Sequence, residues 1–119
     1  MKSEKTPSAV RVVLVTTPDQ ESASTLTHTL LEEGRVACGN ILPGLTSVYR
    51  WQGEIQQDSE CLLVLKTHVE MVDELARRIA ELHPYDVPEV LALPVLGGFS
   101  PYLEWVAAET VERRETDIE

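Results

Sequence analysis

Three short segments of this sequence are apolar at consecutive positions: Val12–Val15 (VVLV), Leu62–Leu65 (LLVL) and Val90–Val95 (VLALPV). Short runs rich in β-branched and aliphatic residues predict strands. A strand with one face in water alternates apolar and polar residues, whereas these segments are apolar on both faces. Leaving such a side chain in water forgoes about 1.5–3 kcal/mol. Both faces of the predicted sheet therefore need to be covered.

Helical segments alternate with the strands along the chain. Apolar residues recur at helical spacing after Thr17 and after Thr67, and two long extended arms joined at Gln52-Gly53 predict a hairpin. The predicted elements are, in order, a strand over Val10–Val15, a helix starting at Thr17, strands over Val36–Trp51 and Glu54–Lys66, a helix starting at Thr67, a strand over Glu89–Val95 and a helix opened by Ser100-Pro101.

Local signals indicate where these elements begin and bend. Thr17 is followed by a proline and, three positions later, by a glutamine, which is typical of a helix N-cap; Thr67 is followed by a glutamate at the same spacing. We therefore expect Thr17 and Thr67 to cap their helices. Pro43-Gly44 interrupts the first arm of the hairpin, so we expect a bulge there.

The order β-α-β-β-α-β predicts an α+β, ferredoxin-like split βαβ sandwich with both helices on one sheet face, a long central hairpin and an extra C-terminal helix. We expect this domain to span residues 10–112, between a disordered tail over 1–9 and an acidic tail over 113–119. Hairpin arms of this length would span roughly 50 Å, which exceeds the ~35 Å diameter of a compact chain of this size. The hairpin and the two-faced strands together predict an obligate oligomer.

Charge argues against two classes of partner. The chain has 10 Lys and Arg against 20 Asp and Glu, a formal net charge of −10. Nucleic acids and anionic membranes both bind clustered cations, so neither is an expected partner. No apolar stretch approaches the ~20 residues of a membrane-spanning helix, and we expect a cytoplasmic protein. The sequence lacks the common nucleotide-binding and hydrolase motifs, so we do not expect an enzyme.

One segment concentrates side chains that carry chemistry, His83-Pro84-Tyr85-Asp86-Val87-Pro88-Glu89. A rigid connector needs the prolines but not the histidine, tyrosine and carboxylates, so we predict a site here, with a rigid connector as the alternative. The predicted ligand-binding side chains come from this segment and the hairpin: Tyr49, Glu60, Lys66, Tyr85 and Glu89. His83 and Asp86 are the predicted ligands of a divalent cation, copper or zinc, with help from a neighbouring copy.

A series of short motifs runs through almost the whole chain, from Val10 to Ala108. They are Val36-Ala37-Cys38, Asn40-Ile41, Pro43-Gly44, Ser47–Trp51 with Gly53, Leu65-Lys66-Thr67, His83–Glu89, and Tyr102-Leu103 with Trp105. In this order they resemble the CutA divalent-cation-tolerance proteins. The resemblance implies a ferredoxin-like homotrimer, cytoplasmic in bacteria, linked to tolerance of copper and other divalent metals and without an established enzymatic activity.

The same resemblance implies a copper site of which this sequence retains only a part. In the best-known members, the ligands are a cysteine in the first strand and two adjacent histidines before the Pro-Tyr pair. Val15 stands at the cysteine position here and Leu82 at the first histidine position, which leaves His83. A pocket with one imidazole and no thiol is expected to hold soft Cu(I) poorly.

Three functions stay open at this point. The first is a metal-responsive trimer that binds a divalent cation through His83 and interface carboxylates. The second is a small-molecule sensor, similar in architecture to the PII regulators, with a ligand held at a subunit cleft by Lys66, Tyr85 and Glu89. The third is a trimeric scaffold whose function is contact with another protein.

Overall fold

The computed structural model describes residues 6–110. Its elements follow the predicted order. They are β1 (Val10–Thr17), α1 (Gln20–Glu32), β2 (Cys38–Trp51), β3 (Glu54–His68), α2 (Val72–Leu82), β4 (Val90–Pro94) and α3 (Ser100–Glu109), with a 3₁₀ turn over Val69–Met71 before α2.

The strands of this part of the chain form one antiparallel sheet in the order β2-β3-β1-β4. β1 lies between β3 and β4, the two strands of the second βαβ unit, and its Val15 is opposite Leu63 of β3 and Val90 of β4. This arrangement confirms the predicted ferredoxin-like split βαβ sandwich with an extra C-terminal helix.

The main core lies between the sheet and helices α1 and α2. Strand alternation sends the odd-numbered residues of β1 and β3 to this side, which we call the helix side. The core residues are Val13, Val15, Leu26, Leu30, Val36, Leu63, Leu65, Met71, Leu75 and Ile79. α1 packs closely against β2 at Gly39, where a Cβ atom would lie 2.7 Å from Cγ2 of Thr27.

The long hairpin has the predicted bulge and the predicted turn. Its ladder shifts register between Leu42 and Leu45, on either side of Pro43-Gly44. At the tip, Gln52 and Gly53 have φ values of 51° and 80°. Positive φ at both central residues is typical of the tight turns that match the twist of a hairpin, and glycine adopts such φ values without steric cost.

Both predicted helix caps were wrong by one or two residues. Asp19, not Thr17, caps α1, because its side chain accepts a 2.7 Å hydrogen bond from the Ser22 amide. His68, not Thr67, caps the 3₁₀ turn before α2 by accepting from the Glu70 amide. Thr17 and Thr67 are instead buried at strand ends, where the Thr67 hydroxyl donates to a backbone carbonyl.

The other side of the sheet, which we call the open face, is only partly covered. α3 packs there over Val10 and Ala37 through Val106. Beyond α3, Leu42, Leu91 and Leu93 keep 47%, 53% and 43% of their surface exposed. The strands are therefore apolar on both sides, as the sequence indicates, and residues 6–110 fully cover only one of these sides.

The predicted tails lie largely outside the described residues. Of the N-terminal tail, residues 6–9 are described; the Ser8 amide donates to the Val95 carbonyl, and the Ala9 carbonyl accepts from the Val69 amide. The acidic tail over 113–119 lies outside the described part of the chain.

Candidate functional site

The segment that links α2 to β4 crosses the end of β1. α2 stops at Leu82, because Pro84 disfavours the helical conformation at the residue before it. His83 is accordingly extended, with φ −74° and ψ 143°. Its side chain turns back into the protein and is only 7% exposed.

Both ring nitrogens of His83 are used inside the chain. Nε2 lies 2.8 Å from the carbonyl oxygen of Thr16, and Nδ1 lies 3.0 Å from the backbone nitrogen of Tyr85. The ring also packs on the Tyr85 ring, with centroids 4.8 Å apart. The predicted metal ligand is thus a buried residue that ties its own loop to β1.

Tyr85 and Glu60, two predicted site residues, meet directly. The Tyr85 hydroxyl donates a 2.7 Å hydrogen bond to Oε2 of Glu60, which is only 9% exposed. Burial, followed by the hydrogen bond to Glu60, raises the pKa of the Tyr85 hydroxyl well above its usual value. The phenol therefore stays protonated and can donate a hydrogen bond to the Glu60 carboxylate.

Glu60 belongs to a polar row that continues along the hairpin. Asp58 lies two residues before Glu60 on β3, and residues two apart in a strand share a face. The hydroxyl of Tyr49, on the neighbouring strand β2, donates to Asp58, and this bond raises the pKa of Tyr49. The row thus consists of two carboxylates, each paired with a tyrosine. Sequence reasoning missed Asp58, although its spacing from Glu60 indicates the shared face.

Lys66 does not join this row. It lies six residues beyond Glu60 on β3, so their Cα atoms are roughly 20 Å apart at the usual rise of a strand. Its ammonium group donates to the side chain of Asn40 on β2. Asn40 was not predicted, and it could have been found from the register of the hairpin.

Asp86 and Glu89 lie on the exposed side of the same loop. Within residues 6–110, neither carboxylate has a hydrogen-bonding or ion-pair partner. They are therefore free oxygen donors at the edge of the sheet, next to the polar row. The structure brings Tyr85 to Glu60 and Tyr49 to Asp58, but it does not bring the two loop carboxylates into contact with either pair.

The residues at the family's copper positions do not fit a copper centre in this chain. Val15 is completely buried in the core and has no donor atom. Leu82 is apolar, and the ring nitrogens of His83 are already bonded. Across residues 6–110, no three His, Cys, Asp or Glu side chains come close enough to hold a metal ion.

Comparison with known proteins gives one consistent family. Residues 11–109 match the family described as CutA1 divalent ion tolerance protein. The chain is 50% identical over 99 residues to the divalent-cation tolerance protein CutA of Thermus thermophilus. The aligned region covers 83% of this chain and 96% of that protein. It is 44% identical over 109 residues to the chloroplastic protein CutA of Arabidopsis thaliana, covering 92% of this chain but only 59% of that longer protein.

Solved structures give the same result. The Thermus thermophilus divalent cation tolerance protein superposes with a TM-score of 0.84 at 48% identity, covering 86% of this chain and 99% of that one. CutA1 from Oryza sativa superposes with a TM-score of 0.85 at 43% identity, covering 90% of this chain and 98% of that one. The Arabidopsis thaliana protein is described as chloroplastic and an Archaeoglobus fulgidus structure as periplasmic, so the cytoplasmic location stays a prediction. No helix in residues 6–110 is long and apolar enough to cross a membrane.

Proposed function

Because the chain belongs to the CutA1 divalent ion tolerance protein family, we propose that it contributes to divalent-cation tolerance as a homotrimer that takes up the cation at its subunit clefts. The observation that carries this proposal is the open face, where leucines are exposed on the same side of the sheet as Glu60, to which the loop with Asp86 and Glu89 is bonded through Tyr85. The family is named for tolerance and not for a catalysed reaction.

Self-association is supported by the apolar surface of the open face. Leu42 on β2 and Leu91 and Leu93 on β4 lie at opposite edges of the same sheet face, with the partly exposed Leu62 and Leu14 between them, and the three edge leucines are all about half exposed. Contiguous exposed apolar surface of this kind is typical of protein–protein interfaces. A second and third copy would remove the remaining exposed half of these side chains from water, which is worth about half of the ~1.5–3 kcal/mol for burying a whole side chain.

We assign the cation to carboxylate oxygens rather than to His83. Asp86 and Glu89 are exposed and unpaired within residues 6–110, and they lie on the loop that carries Tyr85 to Glu60. Hard divalent cations prefer such oxygen donors, and side chains of a neighbouring copy would complete the coordination. This donor set favours cations such as Mg²⁺ or Mn²⁺ over copper, which prefers nitrogen and sulfur.

The alternative of a small-molecule sensor finds less support in the site. It needs Lys66 beside Tyr85 and Glu89 at one cleft, but Lys66 bonds to Asn40 and lies far along β3 from Glu60. A small ligand bound by one chain would not contact Lys66 and the Tyr85–Glu60 pair at the same time.

Calorimetric titration of the full chain with Mn²⁺ tests the proposal. The double variant Asp86→Asn/Glu89→Gln should bind Mn²⁺ at least about tenfold more weakly than the wild type. The double variant Glu21→Gln/Asp73→Asn removes the same charge on the helix side and should change the affinity less than about twofold. Equal losses in both variants would reduce the effect to net charge and contradict a site at the loop.

A further inference from the structure

The hydrogen bonds of His83 define where its proton sits. The Thr16 carbonyl can only accept, so the Nε2 atom that lies 2.8 Å from it carries the hydrogen. The Tyr85 amide can only donate, so Nδ1, which lies 3.0 Å from it, accepts with its lone pair. The ring is therefore a neutral imidazole with its hydrogen on Nε2. No lone pair is left for a metal ion.

We propose that His83 is a positioning residue of the cleft and not a metal ligand: its ring fastens the loop to the end of β1 so that the Tyr85 hydroxyl reaches Glu60. This inference rests on the proposed function, because it assigns His83 a role in the same cleft. It reverses the role that the resemblance to the family implies for this position.

The end of β1 explains why a donor is needed there. The ladder between β1 and β4 stops at Val15 opposite Val90, so β4 does not pair with Thr16. A buried backbone carbonyl without a partner is costly, by roughly 1–3 kcal/mol. The imidazole of His83 supplies this donor from the loop, and in doing so it fixes the position of the loop against the strand.

The second bond transmits this position to Tyr85. Nδ1 of His83 holds the Tyr85 backbone, while the two rings pack at 4.8 Å and fix the direction of the phenol. The phenol then spans from the loop to β3, where Glu60 accepts its hydrogen. A residue that keeps only one of these contacts should leave the Tyr85 hydroxyl less firmly placed.

Three variants of the full chain separate the two bonds. In His83→Asn the amide oxygen lies near the position of Nδ1 and retains an acceptor for Tyr85. In His83→Gln the amide nitrogen reaches the position of Nε2 and retains a donor for Thr16. His83→Leu keeps the volume and removes both bonds.

The readout is the titration of each tyrosine by NMR with ¹³C-labelled phenols. Burial and Glu60 raise the pKa of Tyr85 in the wild type, and we expect the pKa to fall toward its ordinary value in His83→Leu, where the phenol is no longer held against Glu60. His83→Asn and His83→Gln should lie between these limits. Tyr49, which pairs with Asp58, is the internal control and should not move. An unchanged Tyr85 titration in all three variants would overturn the inference.

Copper titration gives a second and independent readout. If His83 is no ligand, the wild type and His83→Asn should bind Cu²⁺ with dissociation constants within about twofold of each other. A loss of about tenfold or more in His83→Asn would make His83 a ligand and overturn the inference. Should His83→Leu fail to fold, ¹⁵N NMR of the wild-type ring decides, because a hydrogen on Nδ1 contradicts the assigned bonds.

The two proposals can fail separately. If the double variant Asp86→Asn/Glu89→Gln binds Mn²⁺ as tightly as the wild type, the proposed cation site is wrong. The Tyr85 titration still tests the role of His83. If the pKa of Tyr85 is unchanged in the His83 variants while the carboxylate variant binds Mn²⁺ more weakly, only the positioning role of His83 is wrong.

Discussion

The hydroxyl of Tyr85 donates a 2.7 Å hydrogen bond to Oε2 of Glu60, and the two residues are 25 positions apart in the chain. This bond joins the loop after α2 to β3, on the side of the sheet that the helices α1 and α2 leave open. Glu60 is only 9% exposed, so its carboxylate depends on the phenol for a partner.

Replacing Tyr85 by phenylalanine should therefore destabilise the protein. The variant removes one hydroxyl and leaves a mostly buried carboxylate without its donor, a loss of about 1–3 kcal/mol in the free energy of unfolding. Tyr49→Phe breaks a similar bond to Asp58 at a side chain that is 41% exposed, where water replaces the lost partner. Denaturant unfolding of both variants measures the difference, and equal losses would contradict a special role for burial at Glu60.

Glu33 connects the end of α1 to α2 and should make stability depend on pH. It binds Arg78 at 2.7 Å and Arg35 at 2.8 Å, and the hydrogen bond from Arg78 is the main reason that its pKa falls to about 2 from the usual 4.5. Because the folded pKa is the lower one, this stabilisation is complete above the usual value. It is lost as the pH falls from about 4.5 to about 2.

The expected size of this loss is modest. The shift in pKa corresponds to roughly 3 kcal/mol without screening, and a carboxylate that is 27% exposed should contribute about 1–2 kcal/mol. Urea unfolding at several pH values should therefore show a steeper acid loss for the wild type than for Glu33→Gln. Glu81→Gln, at a side chain that is 65% exposed, should follow the wild type. Parallel curves for wild type and Glu33→Gln would exclude this ion pair as a source of acid sensitivity.

Gly39 should tolerate no side chain without a change in α1. A Cβ atom at this position would lie 2.7 Å from Cγ2 of Thr27 and 3.0 Å from Cδ2 of Leu65. Gly39→Ala should therefore cost about 1–3 kcal/mol, as overpacked cores do. Adding Thr27→Ser removes the Cγ2 methyl but keeps the hydroxyl that donates to Ala23. The double variant should recover part of the loss in thermal unfolding; no recovery would place the strain elsewhere.

The helix caps show how far local sequence patterns can be trusted. Thr17 and Asp19 are both good N-cap residues and lie two positions apart. The local pattern that favoured Thr17 contains no information about where β1 ends. β1 extends to Thr17 because its partner β3 pairs as far as Cys61. Pairing across the sheet thus decided a choice that propensity left open. Asp19→Ala should cost about 1 kcal/mol in unfolding experiments, because it removes the side chain that accepts from the Ser22 amide at the start of α1.

The candidate site was predictable only in its local part. The segment from His83 to Glu89 is contiguous, so its cluster of functional groups is visible in the sequence. The partners of His83 and Tyr85 are Thr16 and Glu60, which come from two other strands. Their approach depends on the register of the sheet and on the path of the loop, and no spacing in the sequence encodes either. The sequence therefore located the loop but not the two strands that His83 and Tyr85 contact.

The open face gives the last prediction, which concerns the size of the assembly. Leu93 of β4 is 43% exposed on the open face, and Leu31 of α1 is 40% exposed on the helix side. Glutamate at position 93 would bring a charge into an apolar interface, where burying it without a partner costs several kcal/mol. Leu93→Glu should therefore lower the mass measured by light scattering toward that of one 13.3 kDa chain at micromolar concentration. Leu31→Glu adds the same charge to a side chain of similar exposure and should leave the mass of the assembly unchanged. If both variants keep the wild-type mass, the copies do not meet through the open face, and the cleft on which the cation proposal depends does not exist.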